Sequence, residues 1–472
     1  MRKVLVFIAI LFLILTSCKV GQNYKGIDVK VPEDFRAKSP TLSSNEFEVN
    51  TDSLIADSLL DLNWFSMFKD PVLDTLVLEA INNNQNLKIA AENITQAQFN
   101  LVIQRSNLLP YFGYEANISR GNFINGNVGT TQNFAYGTGF MNWELDFWGK
   151  YRRLTEAAKA QILATEYGYR SVQLSLMTTV ADSYFQLLEL KKRLEISNQT
   201  LVLRDSMLYI IQARFDKGII PAIDLNQAQI QRAIAASSIP LLEREIIKTE
   251  NFLSTLTGSN PRKISTDSDL YSMDTTMNFP EVLPIDLLTR RPDVMVAELE
   301  VVIQNALVGY AQGNRLPTLS LNGAIGYAMA DPLSFSNGTM VWSIGGSILG
   351  PLFNWNRLKR IADSEKSKRE QSVYNYELTM LNAFRDVEDA YIEIITLKRE
   401  LVARQDHVTA AKSAQMLSQN RYDQGQTSYL EYLESQRQYF ESQQNLAGTL
   451  RQLLSAYSRL YRALGGGWKT FE

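Results

Sequence analysis

The sequence is nearly devoid of the side chains on which thiol, imidazole and zinc chemistry depend, with one cysteine and one histidine in 472 residues. A single cysteine excludes a disulfide framework, and one residue of each kind leaves too few soft ligands for a zinc site within one chain. Charge of one sign is also scarce. The 47 basic and 50 acidic residues give a formal charge of -3 and are mixed along the chain, so no basic face is offered to nucleic acid. No stretch reaches the roughly 18 apolar residues that a membrane-spanning helix requires, so a membrane would have to be crossed by strands. Carboxylates are plentiful, but none sits in a convergent motif that assigns an acid and a base. The reading is therefore of a protein that is not an enzyme and has no metal or cofactor. His407 lies in a heptad-bearing helix and reads as a surface or seam residue.

What is present begins with Arg2 and Lys3 ahead of an apolar run over residues 4–15, the layout of a secretory signal peptide. The run ends Leu15-Thr16-Ser17-Cys18, which resembles a bacterial lipobox. Residues 1–17 are expected to be removed and Cys18 to become an acylated N-terminus, anchored by about 0.8 kcal/mol for each buried methylene. That covalent lipid is the one addition expected. An extended segment, 18–63, follows it.

The remainder reads as two copies of one unit at an offset of 207 residues, 64–260 and 284–465, joined by a polar connection, 261–283, and followed by a tail, 466–472. Asn86-Leu87-Lys88-Ile89-Ala90 aligns with Asp293-Val294-Met295-Val296-Ala297, and Asn107, Leu109 and Pro110 align with Asn314, Leu316 and Pro317. Arg214-Phe215-Asp216-Lys217-Gly218 matches Arg421-Tyr422-Asp423-Gln424-Gly425 in the same register. Asp146-Phe147-Trp148 pairs loosely with Pro351-Leu352-Phe353 at an offset of 205, which predicts a small insertion or deletion in one half.

Each copy predicts a moderate helix, two strands, a very long helix, a tight turn and a further helix. The first moderate helix starts after Asp70-Pro71 and is expected to run to about Asn107. The long helices, near 150–214 and 358–421, would each measure about 95 Å at 1.5 Å per residue. In the second, Val373, Met380, Val387, Ile394, Leu401 and Val408 recur every seven residues beside Tyr376, Ala383, Ala390 and Leu397, a coiled-coil seam. The first has a weaker seam in Tyr167, Leu174, Ala181, Leu188, Val202 and Tyr209, interrupted at Glu195. Four segments alternate apolar with polar residues, as in Phe112, Tyr114, Ala116 and Ile118 against Gly113, Glu115, Asn117 and Ser119. Four strands cannot close a useful barrel and open edges are not tolerated in lipid, so several chains must share one barrel.

These residues resemble the TolC-like outer-membrane efflux family, in particular its lipoprotein branch serving resistance-nodulation-division pumps. The resemblance covers nearly the whole chain after the leader. It rests on Cys18 with Val20-Gly21 and Tyr24, on Trp64 through Asp70-Pro71-Val72-Leu73, and on Trp143-Glu144-Leu145-Asp146. Gly350-Pro351-Leu352-Phe353 and Arg421-Tyr422-Asp423-Gln424-Gly425 add to it. It implies a homotrimer in the outer membrane of a Gram-negative bacterium. The trimer would have a 12-stranded barrel in the lipid, four strands per chain, continued in the periplasm by a coiled-coil α-helical barrel. It also implies a periplasmic adaptor and an inner-membrane pump as partners of a passive exit duct for small molecules. By motif position Leu430, Glu431, Glu434 and Arg437 stand at the periplasmic gate, and Gly218, Asp224 and Gly425 mark the tip turns that an adaptor contacts. Glutamate stands where the family more usually has aspartate. The alternatives are an exit duct for type I protein secretion and a structural or adaptor coiled-coil lipoprotein of the envelope.

Overall fold

The computed structural model describes residues 19–27, 64–121, 132–266, 268–275, 277, 290–329 and 338–466. Cys18, the leader and most of the segment expected over 18–63 lie outside the described residues. The helices are α1 (Trp64–Met67), α2 (Pro71–Asn83), α3 (Gln85–Ser106), α4 (Lys150–Asp216), α5 (Ala222–Leu256), α6 (Pro292–Gly313), α7 (Arg357–Asp423) and α8 (Tyr429–Ala463). The strands are β1 (Tyr111–Gly121), β2 (Gln132–Leu145), β3 (Thr318–Met329) and β4 (Gly338–Leu349). They form one antiparallel sheet in the order β1-β2-β3-β4.

The repeat is closer than the sequence alone suggests. Adding 207 to both ends of α3, α4 and α5 gives both ends of α6, α7 and α8. The hairpins share that register, since Tyr111 faces Asn142 and Thr318 faces Leu349. Trp148 is thus equivalent to Trp355, and Gly149 to Asn356, both in the left-handed region at φ +73 and +61. The offset of 205 and its insertion or deletion are corrected accordingly. Matching by residue type misled there because the two junctions do different work. The Asp146 carboxylate accepts from the amides of Tyr151 (3.1 Å) and Arg152 (3.0 Å) and so caps α4, whereas the equivalent Phe353 is 74% exposed.

The chain divides into two compact units. The first draws on the described residues of Met1–Val29, Ala91–Tyr167 and Met295–Thr379 and carries the sheet. Its helical core sets Ala157, Ala160 and Ala164 of α4 against Ile303 and Ala306 of α6. By length and composition α6 is the one helix among the described residues apolar enough to cross a membrane, but it spends part of its apolar side on this contact. The sheet's large side chains are left open, among them Tyr114 at 91%, Ile118 at 82% and Ile348 at 76% exposed.

In this unit residues 19–24 lie as a strap in a groove between α4 and α6. Arg153, fully buried, donates from Nε to the Val20 carbonyl (2.9 Å) and from Nη2 to the Gly21 carbonyl (2.6 Å). Asn305 donates to the Gln22 carbonyl (3.0 Å), Tyr24 to Glu298 (3.1 Å), and Lys19 pairs with Glu156. Gly309 makes the groove possible, because a Cβ there would meet Arg153 at 2.8 Å.

The second unit draws on the described residues of Lys30–Ala90, Gly168–Val294 and Met380–Glu472. Asp70 caps α2, accepting from Val72 (2.8 Å) and Leu73 (3.1 Å), and also accepts from the buried Tyr184 hydroxyl (2.7 Å). The helix expected to run unbroken to Asn107 stops at Asn84. That residue takes an extended conformation at ψ 129, accepts from the Leu87 amide (3.1 Å) and donates to the Leu256 carbonyl (2.9 Å). An asparagine that can cap a new helix and serve a neighbouring chain end outcompetes the continued helix.

On α7 Met380, Ala383, Val387, Ala390, Ile394, Leu397 and Leu401 are buried along the expected seam. On α4 the seam holds through Leu174, Ala181 and Leu188, but Val202 and Tyr209 are exposed, and Ile196, Arg204, Met207 and Ile211 are buried instead. Past Glu195 the buried stripe follows the 3.6-residue period of a straight helix and drifts off the heptad. His407 is exposed. α5 continues through Pro240 without interruption.

Candidate gate at the helical hairpin tips

Both tips are closed by the same local device. Gly218, at φ +71, donates to the Phe215 carbonyl (2.8 Å), and the Ile219 amide reaches back to Arg214 (3.0 Å). Gly425, at φ +72, donates to Tyr422 (3.0 Å), and the Gln426 amide reaches Arg421 (2.8 Å). This is the left-handed helix stop that glycine permits without a Cβ penalty.

The tips then diverge. α8 starts on a serine cap, with Ser428 Oγ accepting from the Glu431 amide at 3.4 Å. α5 starts after Pro221, which has no capping side chain, and the Asp224 amide donates to the Pro221 carbonyl (3.1 Å). Tyr422, Tyr429, Tyr432 and Leu433 pack with Met207, Ile211, Leu225 and Ala228, so the two hairpins share one buried cluster. Tyr422 stacks on Tyr432 with centroids 5.8 Å apart, and Arg214 lies over the Tyr422 ring at 5.1 Å. Burial pushes the Tyr429 hydroxyl up to about 12, so this ring stays neutral at ordinary pH.

Outside that cluster stand the acidic residues singled out in the sequence. Glu431 accepts from Arg421 (2.9 Å) and from the Thr427 hydroxyl, which ties the first turn of α8 back to the end of α7. Glu434 holds the Arg437 guanidinium through two bonds of 2.9 and 2.7 Å and accepts from Gln438 (3.0 Å). Arg437 also donates to Glu441 (2.7 Å). The Arg437 guanidinium, then Gln438, holds the Glu434 carboxyl down at about 2, and the same pairing raises Arg437. Leu430 is 56% exposed beside them.

The structure thus brings Glu434 and Arg437 into direct contact and gives Glu431 a separate partner. In the first hairpin Asp224, Gln227 and Ile230 occupy the equivalent positions, so that tip has one acid fewer and no equivalent of Arg437. Three features escaped the sequence reading: Arg421 as partner of Glu431, the tyrosine cluster, and the buried Arg204, which donates to Gln436 (2.6 Å). The tyrosines recur at helical spacing across the turn, which is a usable signal. Arg204 and Gln436 lie 232 residues apart, and nothing local links them.

Long paired helices whose hairpin tips carry acidic residues, together with a four-stranded sheet that leaves large apolar side chains exposed among the described residues, define a channel protein of the outer membrane. Residues 76–259 and 283–466 match the outer membrane efflux protein family, and the chain belongs to that family. It is 33% identical over 411 residues to the solvent efflux pump outer membrane protein SrpC of Pseudomonas putida, covering 86% of this chain and 87% of that one. With the cation efflux system protein CusC of Escherichia coli it is 30% identical over 461 residues, 97% of each chain. The open-state structure of the Neisseria gonorrhoeae MtrE outer membrane channel superposes with a TM-score of 0.83 at 25% identity, covering 95% of this chain and 98% of that one. The protein is accordingly an outer-membrane component of an efflux system.

Proposed function

We propose that three copies of the chain close a twelve-stranded barrel and form the passive exit duct of a tripartite efflux system. A periplasmic adaptor and an inner-membrane resistance-nodulation-division pump would supply docking and energy. The observation that carries this reading is the open sheet, with two unpaired edges and large exposed apolar side chains among the described residues. The tip of α7 and α8 is read as the gate. Repeated about a threefold axis, Glu431 and Glu434 make anionic rings that favour cations, and Leu430 adds an apolar constriction. Gly218, Asp224 and Gly425 mark the turns that meet the adaptor. A lipid on Cys18 anchors the mature chain to the same membrane.

Purified protein in detergent should give a mass of three copies by native mass spectrometry and discrete conductance steps in planar bilayers. A stable monomer without conductance overturns the reading.

A further inference from the structure

The four strands meet the helices at one end of the sheet, and the two repeats treat the charges there differently. Adding 207 to Lys150, Arg152 and Arg153 gives Arg357, Lys359 and Arg360, so α4 and α7 open with three basic side chains at the same positions. In the first repeat each has a partner. Lys150 pairs with Glu144 (2.6 Å), Arg152 with Asp146 (3.2 Å), and Arg153 with Glu156 (2.9 Å) and two strap carbonyls. In the second repeat the acids of the strand end are missing, since Pro351 stands at the position of Glu144 and Phe353 at that of Asp146. Among the described residues Arg357 and Lys359 are exposed without an ion pair, and Arg360, its side chain 75% exposed, reaches only Asp363 at 3.5 Å. Just before them in the chain Phe353 and Trp355 form an edge-on pair with centroids 4.6 Å apart, and both rings are exposed.

We propose that this patch binds the headgroup of an anionic phospholipid, one per chain, in the membrane leaflet that faces the periplasmic helices. The inference rests on the reading of a membrane-spanning sheet and adds a ligand to it. Three cations with one distant carboxylate among them attract an anion, and the two rings beside them take an apolar neighbour. A phospholipid supplies both in one molecule. The rings lie between the end of β4 and the start of α7, with the cations on the helix side, which is the order of amphipathic rings and then phosphates at a bilayer surface.

The first junction supports the assignment by position. There the Val20 amide donates to the Trp148 carbonyl (3.1 Å), and a Cβ on Gly149 would meet Lys19 Cα at 3.1 Å, so the strap brings Lys19 to the start of α4. Cys18, the residue read as lipidated, directly precedes Lys19 in the chain. The first junction thus receives acyl chains by covalent attachment, and the second, with its basic residues free, takes a lipid from the bilayer. Assembly does not neutralise the patch. At the other free edge of the sheet α3 and β1 carry Glu92 and Glu115 as their acids. Glu115 accepts from the Tyr136 hydroxyl (2.6 Å), and Glu92 lies in the half of α3 away from the strands.

The test is lipid retention by the assembled protein, read by native mass spectrometry in neutral detergent after mixing with phosphatidylglycerol or with phosphatidylcholine of the same chain length. The unmodified protein should hold phosphatidylglycerol, up to one molecule per chain, in preference to phosphatidylcholine, and should lose it as salt is raised. Replacing Arg357, Lys359 and Arg360 together by glutamine should weaken that retention by about tenfold or more. Replacing Lys366, Lys368 and Arg369, which carry the same charge further along α7, should not. Phe353→Asp, which copies the acid of the first junction, should also weaken retention, whereas Phe353→Leu should preserve it. The same spectra report whether each variant assembles, and Phe353→Asp and the salt series decide the matter if the triple variant does not. Equal retention of the two lipids, full retention by the variants expected to lose it, or displacement by millimolar inorganic phosphate overturns the lipid site and leaves the duct standing. Absence of any assembly in the unmodified protein overturns both.

Discussion

Glu434 and Arg437 show how far spacing alone can be trusted. Three residues apart on a helix, their spacing alone allows an ion pair, and they meet through two hydrogen bonds. For Glu431 the same reasoning stops short, because its partner Arg421 lies across a turn whose geometry depends on Gly425 being left-handed. Replacing Glu431 and Glu434 together by alanine should raise single-channel conductance and reduce cation selectivity. It should leave thermal unfolding nearly unchanged, since ion pairs this exposed to solvent contribute little to stability. Unchanged current and selectivity would move the constriction to Leu430 or the first hairpin. The pH dependence has a definite sign. The Glu434 carboxyl is depressed, so its contribution is fully present above the ordinary glutamate range and is lost only as pH falls through about 2. The conductance difference between the wild type and Glu434→Gln should therefore stay constant from pH 8 to about pH 4.

Among the elements, the strap and the helices around it show what a repeat can and cannot supply. α3 and α6 are equivalent in length and position, yet only α6 has Gly309, Asn305 and Glu298 to receive residues 19–24. Gly309→Val should expel the strap, because the new side chain meets Arg153, whose guanidinium holds the Val20 and Gly21 carbonyls. Trypsin cleavage at Lys19 and Lys25 should then accelerate at least tenfold, and unchanged cleavage would mean that the strap contributes no local stability. The seam of α7 was legible as a heptad. That of α4 was legible only as far as Glu195, because an unsupported heptad and a straight helix diverge by about 20° per repeat and only the packing partner decides between them. The break at Asn84 was hidden for a similar reason. Its side chain is satisfied by Leu256, far away in the sequence.

For the whole molecule, the proposed reading divides anchoring between a lipid on Cys18 and the strands, and the two can be separated. Cys18→Ser should remove the acyl chains, detectable as loss of lipid mass at the N-terminus, while the protein stays in the outer-membrane fraction after an alkaline carbonate wash. Retention is expected because the strands, with Tyr114, Ile118 and Ile348 outward, do not depend on the lipid. Release into the soluble fraction would mean that the sheet does not span.

Properties that are periodic or contiguous could be read from the sequence itself: the 207-residue repeat, the alternation of the strands, the length of the helices, the glycine stops at 218 and 425, and the acidic residues of the second tip. Each is written in neighbouring residues, because hydrophobic periodicity and left-handed turns are local consequences of backbone geometry. The tertiary structure alone decided which side chains meet across long separations. It joined Arg204 to Gln436 and Arg421 to Glu431, gathered three tyrosines under the tips, and seated the strap between α4 and α6. It also placed Trp148 and Trp355 in one register where residue type had suggested another. Pairings of this kind depend on how helices rotate and slide to bury their faces, and one chain's residue order carries that information only through the packed whole.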